Sequence, residues 1–181
     1  MNFDIKDFKN PNLKDLDEYR HMYEKSVTDP SSFFLEHALK ELEWFEKPSV
    51  GYSGKITKPT WFRDGVLNIS YNCIDRHAAK NPNKTAIIWQ GDEKENTKNI
   101  SYDQLLTEVS KLANGLKSIG VKKGDRVCIY MPMIPEAAYS MLACMRIGAI
   151  HSVVFGGFSP EAISSRILDS DCQYVITADE G

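Results

Sequence analysis

The sequence has little of what marks a membrane, secreted or nucleic-acid-binding protein. Its longest apolar runs fall far short of the roughly 20 residues that a membrane helix needs. The first fifteen residues, MNFDIKDFKNPNLKD, lack the basic and apolar regions of a secretory signal. The net charge of −3 is spread along the chain, which argues against a nucleic-acid surface. We therefore expect a cytoplasmic protein that binds neither membranes nor nucleic acid.

Cysteine is scarce and shows no metal-binding spacing. The four cysteines are Cys73, Cys128, Cys144 and Cys172, and no two of them form a CxxC pair. At least two of them stand inside apolar runs, which is typical of buried thiols in a reducing compartment. The cysteine pattern therefore predicts buried free thiols and no metal site.

Familiar catalytic and nucleotide-binding motifs are missing as well. The chain has no GxxxxGK[ST] tract, which excludes a P-loop, and no GxGxxG tract. Asp75-Arg76-His77 resembles a catalytic cluster, but adjacent helical residues do not face each other, so we favour a structural role such as ion pairing between subdomains. His151 could act as a base, and a satisfied turn or core histidine is the interpretation that we favour. No residue is assigned a catalytic role.

The sequence that is present has ordinary globular composition, 42% hydrophobic and 26% charged over 181 residues. Residues 1–83 read as a mostly helical extension. Apolar spacing predicts helices over 13–27 and 31–46, the second capped by Ser31 or Ser32. A loop rich in glycine and proline follows, and a further helix stops before Pro82.

Residues 84–181 alternate strands and helices. The strands are predicted over 84–90, 127–131, 149–155 and 173–178. A short return strand makes a hairpin with the first of them, and the next helix begins at Ser101 with Gln104 as its capping-box partner. The resulting β-α-β-α-β-α-β order predicts an α/β fold with a parallel sheet and right-handed crossovers.

One tract in this half raises the question of a ligand. Residues 151–163 read HSVVFGGFSPEAI, in which a strand ends at Gly156-Gly157 before a helix capped by Ser159. One interpretation is close approach of the backbone to a ligand, since glycine has no Cβ. The other is a tight turn that needs positive φ, and residue types alone favour it. Glu161 in the first helical turn opposes a phosphate at that helix terminus.

Three stretches together resemble a known family: WFRDGVLNISYNCIDRH (61–77), residues 120–171 from GVKKGDRV to ILDSD, and YVITADEG at the end. They are similar to acetyl-coenzyme A synthetases, members of the adenylate-forming superfamily. The similarity begins near Leu35. The resemblance implies that residues 84–181 are the first part of the large AMP-binding domain. Because the chain stops at a strand's carboxyl end, we expect an N-terminal fragment whose partner is the rest of the same polypeptide.

The resemblance also implies an activity for the full-length protein. The family joins acetate to coenzyme A (CoA) by using ATP and Mg²⁺, through an acetyl-adenylate. Its phosphate loop, acyl pocket and catalytic lysine lie beyond the segment at which this chain ends, so we expect the fragment to be inactive and to hold none of these molecules tightly. In the family the tract Phe155, Gly156 and Gly157 lies beside CoA, which favours the ligand-proximal interpretation. A non-catalytic binding module derived from the family, or a propionyl-CoA synthetase, is the alternative.

Overall fold

The computed structural model describes residues 13–179, which divide into two units at the Leu67–Asn68 bond. The elements of the first unit are α1 (Leu16–Thr28), α2 (Pro30–Glu41), β1 (Tyr52–Lys55) and β2 (Lys58–Trp61). Those of the second are a π-helical turn (Tyr71–Asp75), α3 (Arg76–Lys80), β3 (Thr85–Gln90), β4 (Thr97–Ser101), α4 (Tyr102–Ser118), β5 (Arg126–Met131), α5 (Pro135–Ile147), β6 (Ile150–Phe155), α6 (Pro160–Ser170) and β7 (Tyr174–Thr177).

Helix α2 of the first unit begins earlier than predicted. Its N-cap is Asp29, whose carboxylate accepts a hydrogen bond from the Ser32 N–H at 3.1 Å. The predicted cap at Ser31 or Ser32 is therefore wrong. Pro30 occupies the first turn, where its fixed φ is favourable and its missing N–H costs nothing, so the residue before it becomes the cap.

The same helix also ends earlier than predicted, at Glu41. Leu42 is already extended, with φ −111° and ψ 146°. The Ala38 carbonyl accepts from the Leu42 N–H at 3.1 Å and from the Trp44 indole N–H at 2.9 Å, which ties Trp44 to the end of the helix. Within the described part of this unit Ala38 is the one buried hydrophobic residue, so ring contacts supply much of the packing. Trp61 packs edge-on against Phe34 at 5.2 Å.

In the second unit, α4 covers the core. The predicted capping box is confirmed: the Ser101 Oγ accepts from the Gln104 N–H at 3.2 Å, and the Gln104 side chain accepts from the Ser101 N–H at 2.9 Å. The buried face of α4 consists of Leu105, Val109, Ala113 and Leu116. These side chains pack with Val127 and Ile129 of β5 and with Ala143 of α5.

The parallel sheet has three strands in the order β6-β5-β7. Val127 of β5 is opposite His151 on one side and Tyr174 on the other. The predicted hairpin of residues 84–90 with a short return strand is confirmed. The predicted β-α-β order also counted this strand in the parallel sheet, and that part of the prediction is wrong. Strand β3 pairs with β4 in a separate antiparallel sheet, because closing a short loop costs less chain entropy than reaching a distant partner.

The strand order determines where the helices lie. The chain moves from β5 to β6 on one side and then returns across β5 to β7. Crossovers of the same right hand therefore place α5 and α6 on opposite faces of the sheet. The α5 face holds Val127 and Ile129; the other face holds Cys128, which is only 1% exposed. The connections that leave β5 and β6 diverge, and such divergence opens a crevice at the carboxyl ends of the strands.

The thiols divide into two groups. Cys128 and Cys144 are buried, as predicted, whereas Cys73 is exposed and Cys172 is half-buried, contrary to the prediction. Cys73 lies in the π-helical turn between the buried residues Asn72 and Ile74, so its side chain points the other way. Across residues 13–179, no helix has the length and apolar character to cross a membrane.

Candidate functional site at the carboxyl ends of the parallel strands

A cavity of about 480 Å³ opens at the crevice that the strand order creates. All three parallel strands contribute residues at their carboxyl ends. The lining residues are Tyr130, Met131, Pro132, Met133, Phe155, Gly156, Gly157, Thr177, Ala178 and Asp179. The three predicted site residues, Phe155 to Gly157, thus lie together on one wall of the cavity.

The segment Phe155–Phe158, here called the FGGF loop, is held at three points. The Tyr130 hydroxyl donates to the Gly156 carbonyl at 2.9 Å. The Phe158 N–H donates to the Phe155 carbonyl at 3.1 Å, which closes the turn. The rings of Phe155 and Phe158 meet edge to face with centroids 6.1 Å apart. These three contacts order the loop.

Positive φ is not the reason for the two glycines. Left-handed backbone occurs at Gly54, Gly120, Gly124 and Gly148, but not at Gly156 or Gly157. A Cβ on Gly156 would make an ordinary contact, 3.6 Å from the Met131 carbonyl oxygen. The interpretation of the pair as a turn that needs positive φ is therefore wrong. What the two glycines do provide is a stretch of cavity wall made of backbone without Cβ atoms.

A Cβ at Gly157 would meet a side chain rather than the backbone. It would lie 3.0 Å from the Phe155 ring, a side chain that is 62% exposed and has room to move. Substitution at Gly157 would therefore displace Phe155 at the mouth of the cavity while leaving the turn intact.

The charge of the cavity argues against a phosphate ligand. None of the described residues that line it is a lysine or an arginine, and Asp179 brings a carboxylate. The nearby N-terminus of α6 is capped by its own residues: the Ser159 Oγ accepts from the Ala162 N–H at 3.4 Å. The pKa of Glu161 is lowered by its own backbone N–H and by the Ser159 hydroxyl. The cavity therefore favours an uncharged ligand group.

Both glycine N–H groups of the loop are without a backbone hydrogen bond within residues 13–179. Within residues 13–179, the Gly157 N–H makes no hydrogen bond to the protein. Met131, Pro132 and Met133 supply apolar surface opposite. An uncharged, partly apolar chain that carries an amide carbonyl has the chemistry for such a site.

The Asp75-Arg76-His77 segment does not form a site. The Asp75 carboxylate accepts two hydrogen bonds from the Arg146 guanidinium, at 2.6 and 3.2 Å. The Arg76 Nε donates to the Asn72 carbonyl at 2.7 Å, and the His77 ring packs on Tyr102. The predicted structural role is confirmed for Asp75, although its ion pair lies within the second unit and not between subdomains.

His151 lies inside β6 and does not line the cavity. Its side chain is half-buried, and the burial lowers the pKa of the imidazole. The favoured interpretation, a core histidine with a packing role, agrees with this position.

A second cavity, of about 610 Å³, lies at the C-terminal ends of α4 and α5. Lys117, Lys122, Lys123 and Arg146 line it. Lys117 and Arg146 are in the last turns of their helices, where carbonyl dipoles favour cations. Arg146 is also neutralised by Asp75. The helix ends therefore account for much of this positive charge without a ligand.

Sequence reasoning missed Tyr130. Ile129 and Met131 pack with the core beneath α4 and α5. Because side chains alternate along a strand, Tyr130 must face the opposite side. A tyrosine near the carboxyl end of a central strand was the available signal, but its partner, 26 residues away, was not readable from the sequence.

Comparison with known proteins places this geometry in a family. The family model described as AMP-binding enzyme matches residues 74–181. The model described as Acetyl-coenzyme A synthetase N-terminus matches residues 19–73. The chain therefore belongs to the AMP-binding enzyme family, whose adenylate-forming α/β fold agrees with the predicted fold class.

Individual relatives are similar to the chain over most of its length. The chain is 58% identical over 168 residues to acetyl-coenzyme A synthetase 2 of Pseudomonas putida, with 91% of this chain covered. It is 56% identical over 177 residues to the acetyl-coenzyme A synthetase of Rhizobium meliloti, with 96% covered. A gamma-proteobacterial acetyl-coenzyme A synthetase is 55% identical over 172 residues, with 95% covered. The chain spans only 26–27% of the length of these relatives.

Proposed function

We propose that this chain is the N-terminal part of an AMP-forming acetate–CoA ligase and that its cavity receives CoA. The relatives that support this proposal carry the name acetyl-coenzyme A synthetase. In the proposed reaction, acetate attacks the α-phosphate of ATP, giving acetyl-adenylate and pyrophosphate. The sulfur of CoA then attacks the acyl carbon, the carbon–oxygen bond to phosphate breaks, and AMP leaves. The thiol proton is released in the second step.

One observation carries the placement of CoA: the bare backbone of Gly156 and Gly157 at the carboxyl ends of the sheet. A chain of amides ending in a thiol, such as the pantetheine arm of CoA, is uncharged and partly apolar. The open Gly157 N–H and the methionine-lined wall fit such a chain, whereas phosphate groups would find no cation here. ATP, Mg²⁺ and the phosphates of CoA are therefore proposed to bind through residues outside this chain, which alone stays inactive.

We also propose the domain boundary predicted at residues 83 and 84, together with a cytoplasmic location. The buried free thiols Cys128 and Cys144 support a reducing compartment. The boundary between the two family models falls at residues 73 and 74, and the two structural units meet after Leu67. The hairpin that begins at Thr85 is the first strand pair after the three boundaries, which follow residues 67, 73 and 83.

Gly157→Leu in the full-length ligase tests the proposal. The leucine should displace Phe155 and fill the wall, so we expect kcat/KM for CoA to fall about tenfold or more, equivalent to ~1.4 kcal/mol of lost binding. Acetate-dependent ATP–pyrophosphate exchange should stay within about twofold of wild type, because the adenylation step does not use this wall. The melting temperature should change little, because Gly157 does not need positive φ.

Gly115→Leu is the matched control. It makes the same side-chain change on the exposed face of α4, where a Cβ meets nothing within 4 Å. Its kinetics should equal those of the wild type. A Gly157→Leu variant that loses both half-reactions in equal measure would contradict a role for the glycines toward CoA.

A further inference from the structure

Tyr130 occupies a particular position relative to the FGGF loop. It lies on the central strand, opposite Val154 of β6 and Thr177 of β7. Its ring faces away from the core beneath α4 and α5, and its hydroxyl reaches the Gly156 carbonyl at 2.9 Å. The central strand, which has neighbours on both sides, thus holds the backbone of the loop directly.

This hydrogen bond fixes more than one atom. All peptide bonds in the described part of the chain are trans, so the Gly156 C=O and the Gly157 N–H lie in one plane and point in opposite directions. Because the carbonyl points at Tyr130, the Gly157 N–H points away from it. Glycine offers little resistance to rotation of this plane, and neither glycine has a Cβ that would hold it by packing.

We propose that Tyr130 is a positioning residue for CoA: its hydroxyl orients the Gly156–Gly157 peptide so that the Gly157 N–H is presented to the ligand. The proposal rests on the proposed function, because CoA is taken as the ligand. It assigns Tyr130 no contact with the reacting atoms. Without the hydroxyl, the peptide plane is free to rotate, and the donor has to be reoriented each time the ligand binds.

The test uses Tyr130→Phe in the full-length ligase, because this change removes one oxygen and keeps the ring. A lost hydrogen bond of ordinary strength corresponds to about a three- to tenfold weaker binding of CoA. We therefore expect KM for CoA to rise about three- to tenfold, with ATP–pyrophosphate exchange within about twofold of wild type. Hydrogen exchange of the peptide that covers 155–158 should become faster without ligand.

Tyr139→Phe serves as the matched control. Tyr139 is also half-buried, in α5, where burial raises the pKa of its hydroxyl, and it does not line the cavity. Its removal should leave both KM for CoA and exchange of the FGGF loop unchanged. Equal effects of the two variants would overturn the proposal, since they would report a general loss of packing.

Added CoA separates failure of this inference from failure of the proposed function. If CoA protects the FGGF loop of the wild type from exchange and Tyr130→Phe binds CoA equally well, the inference is overturned and the proposed function stands. If CoA does not protect the loop even in the wild type, the proposed function is overturned and the inference falls with it. Weaker binding by Tyr130→Phe at an unchanged melting temperature supports both.

Discussion

At the residue scale, Gly148 and Gly115 differ in whether their backbone conformation requires glycine. Gly148 ends α5 with φ +75°, and a Cβ there would lie 2.9 Å from the Lys123 side chain. Gly115 lies within α4 and has open space around it. Alanine at position 148 should therefore cost about 1–2 kcal/mol of unfolding free energy, and alanine at position 115 should add about 0.5–1 kcal/mol. Urea denaturation measures both, and shifts of the same sign would contradict the assignment.

The cysteines offer a second residue-scale prediction. Cys73 is exposed, whereas Cys128 and Cys144 are buried. A thiol reagent at neutral pH should therefore label Cys73 first and leave the two buried thiols unmodified until the chain unfolds. Mass spectrometry of the labelled peptides identifies the sites. Labelling of Cys144 as fast as that of Cys73 in the folded chain would contradict this packing.

Burial also makes the stability depend on alkaline pH. Burial raises the pKa of the Cys144 thiol from 9.0 to about 11. Between these values the unfolded chain loses the proton and the folded chain keeps it, so unfolding is favoured as the pH rises. The contribution of Cys144 to stability is fully present below pH 9 and is lost toward pH 11. A Cys144→Ala variant should show less of this alkaline decline in denaturation experiments.

The sequence predicted residues whose signals are local. Ser101 with Gln104 and the Ser159 cap act within a few positions of the chain, and both were found. Asp29 was missed because serines, which are equally good N-cap residues, stand two and three residues later. Tyr130 was missed because its hydrogen-bond partner is a carbonyl that the sheet brings near from a distant part of the chain. Burial of Cys73 was predicted wrongly because the register of a π-helical turn differs from that of an α-helix.

Among the elements, the π-helical turn is fastened to the end of α5. The Asn68 side-chain amide donates to the carbonyls of Met145 and Arg146 at 3.2 and 3.1 Å, and its oxygen accepts from the Tyr71 N–H. The ion pair of Asp75 with Arg146 lies alongside, and each side chain is only about a quarter exposed. These contacts substitute for the hydrogen bonds that a helix end leaves open.

Asp75→Ala should destabilise the chain by about 1–3 kcal/mol, less than a fully buried pair would cost because water reaches both groups. The change leaves Arg146, whose Nε already lacks a partner within the described residues, as an uncompensated charge. Replacing both members, Asp75→Ala with Arg146→Met, should restore part of the loss. Glu108→Ala, which breaks an exposed pair with Lys111, is the control and should change stability by less than about 0.5 kcal/mol.

Element pairing marks the limit of prediction from sequence. The helix and strand order of the second unit and the hairpin of 84–90 followed from the sequence, but the exclusion of that strand from the parallel sheet did not. Both a hairpin and a four-stranded parallel sheet satisfy the apolar pattern of that strand. The choice depends on loop entropy and on the Trp89 indole N–H, which donates to the Met133 carbonyl at 2.7 Å. Neither the loop entropy nor this hydrogen bond can be read from a local window of sequence.

At the scale of the whole molecule, the described parallel sheet has two open edges. The outer strands β6 and β7 expose apolar side chains, with Ile150 at 56%, Val153 at 53% and Val175 at 50%. Open edges with apolar residues favour pairing between chains. We expect the isolated 181-residue chain to self-associate with increasing concentration, which analytical ultracentrifugation measures. A monomer at high concentration with cooperative unfolding would contradict this expectation.

The strand order also bears on synthesis. Strand β5 is made before both of its neighbours, so the sheet grows outward from its centre as the chain leaves the ribosome. The first pair becomes available once Phe155 has emerged, and the FGGF loop follows immediately. Tyr130 has emerged by then, so the loop and its hydrogen-bond partner are both outside the ribosome before β7 emerges. The contact that holds the FGGF loop thus requires only residues that precede β7 in the chain, and β7 adds the last part of the cavity lining.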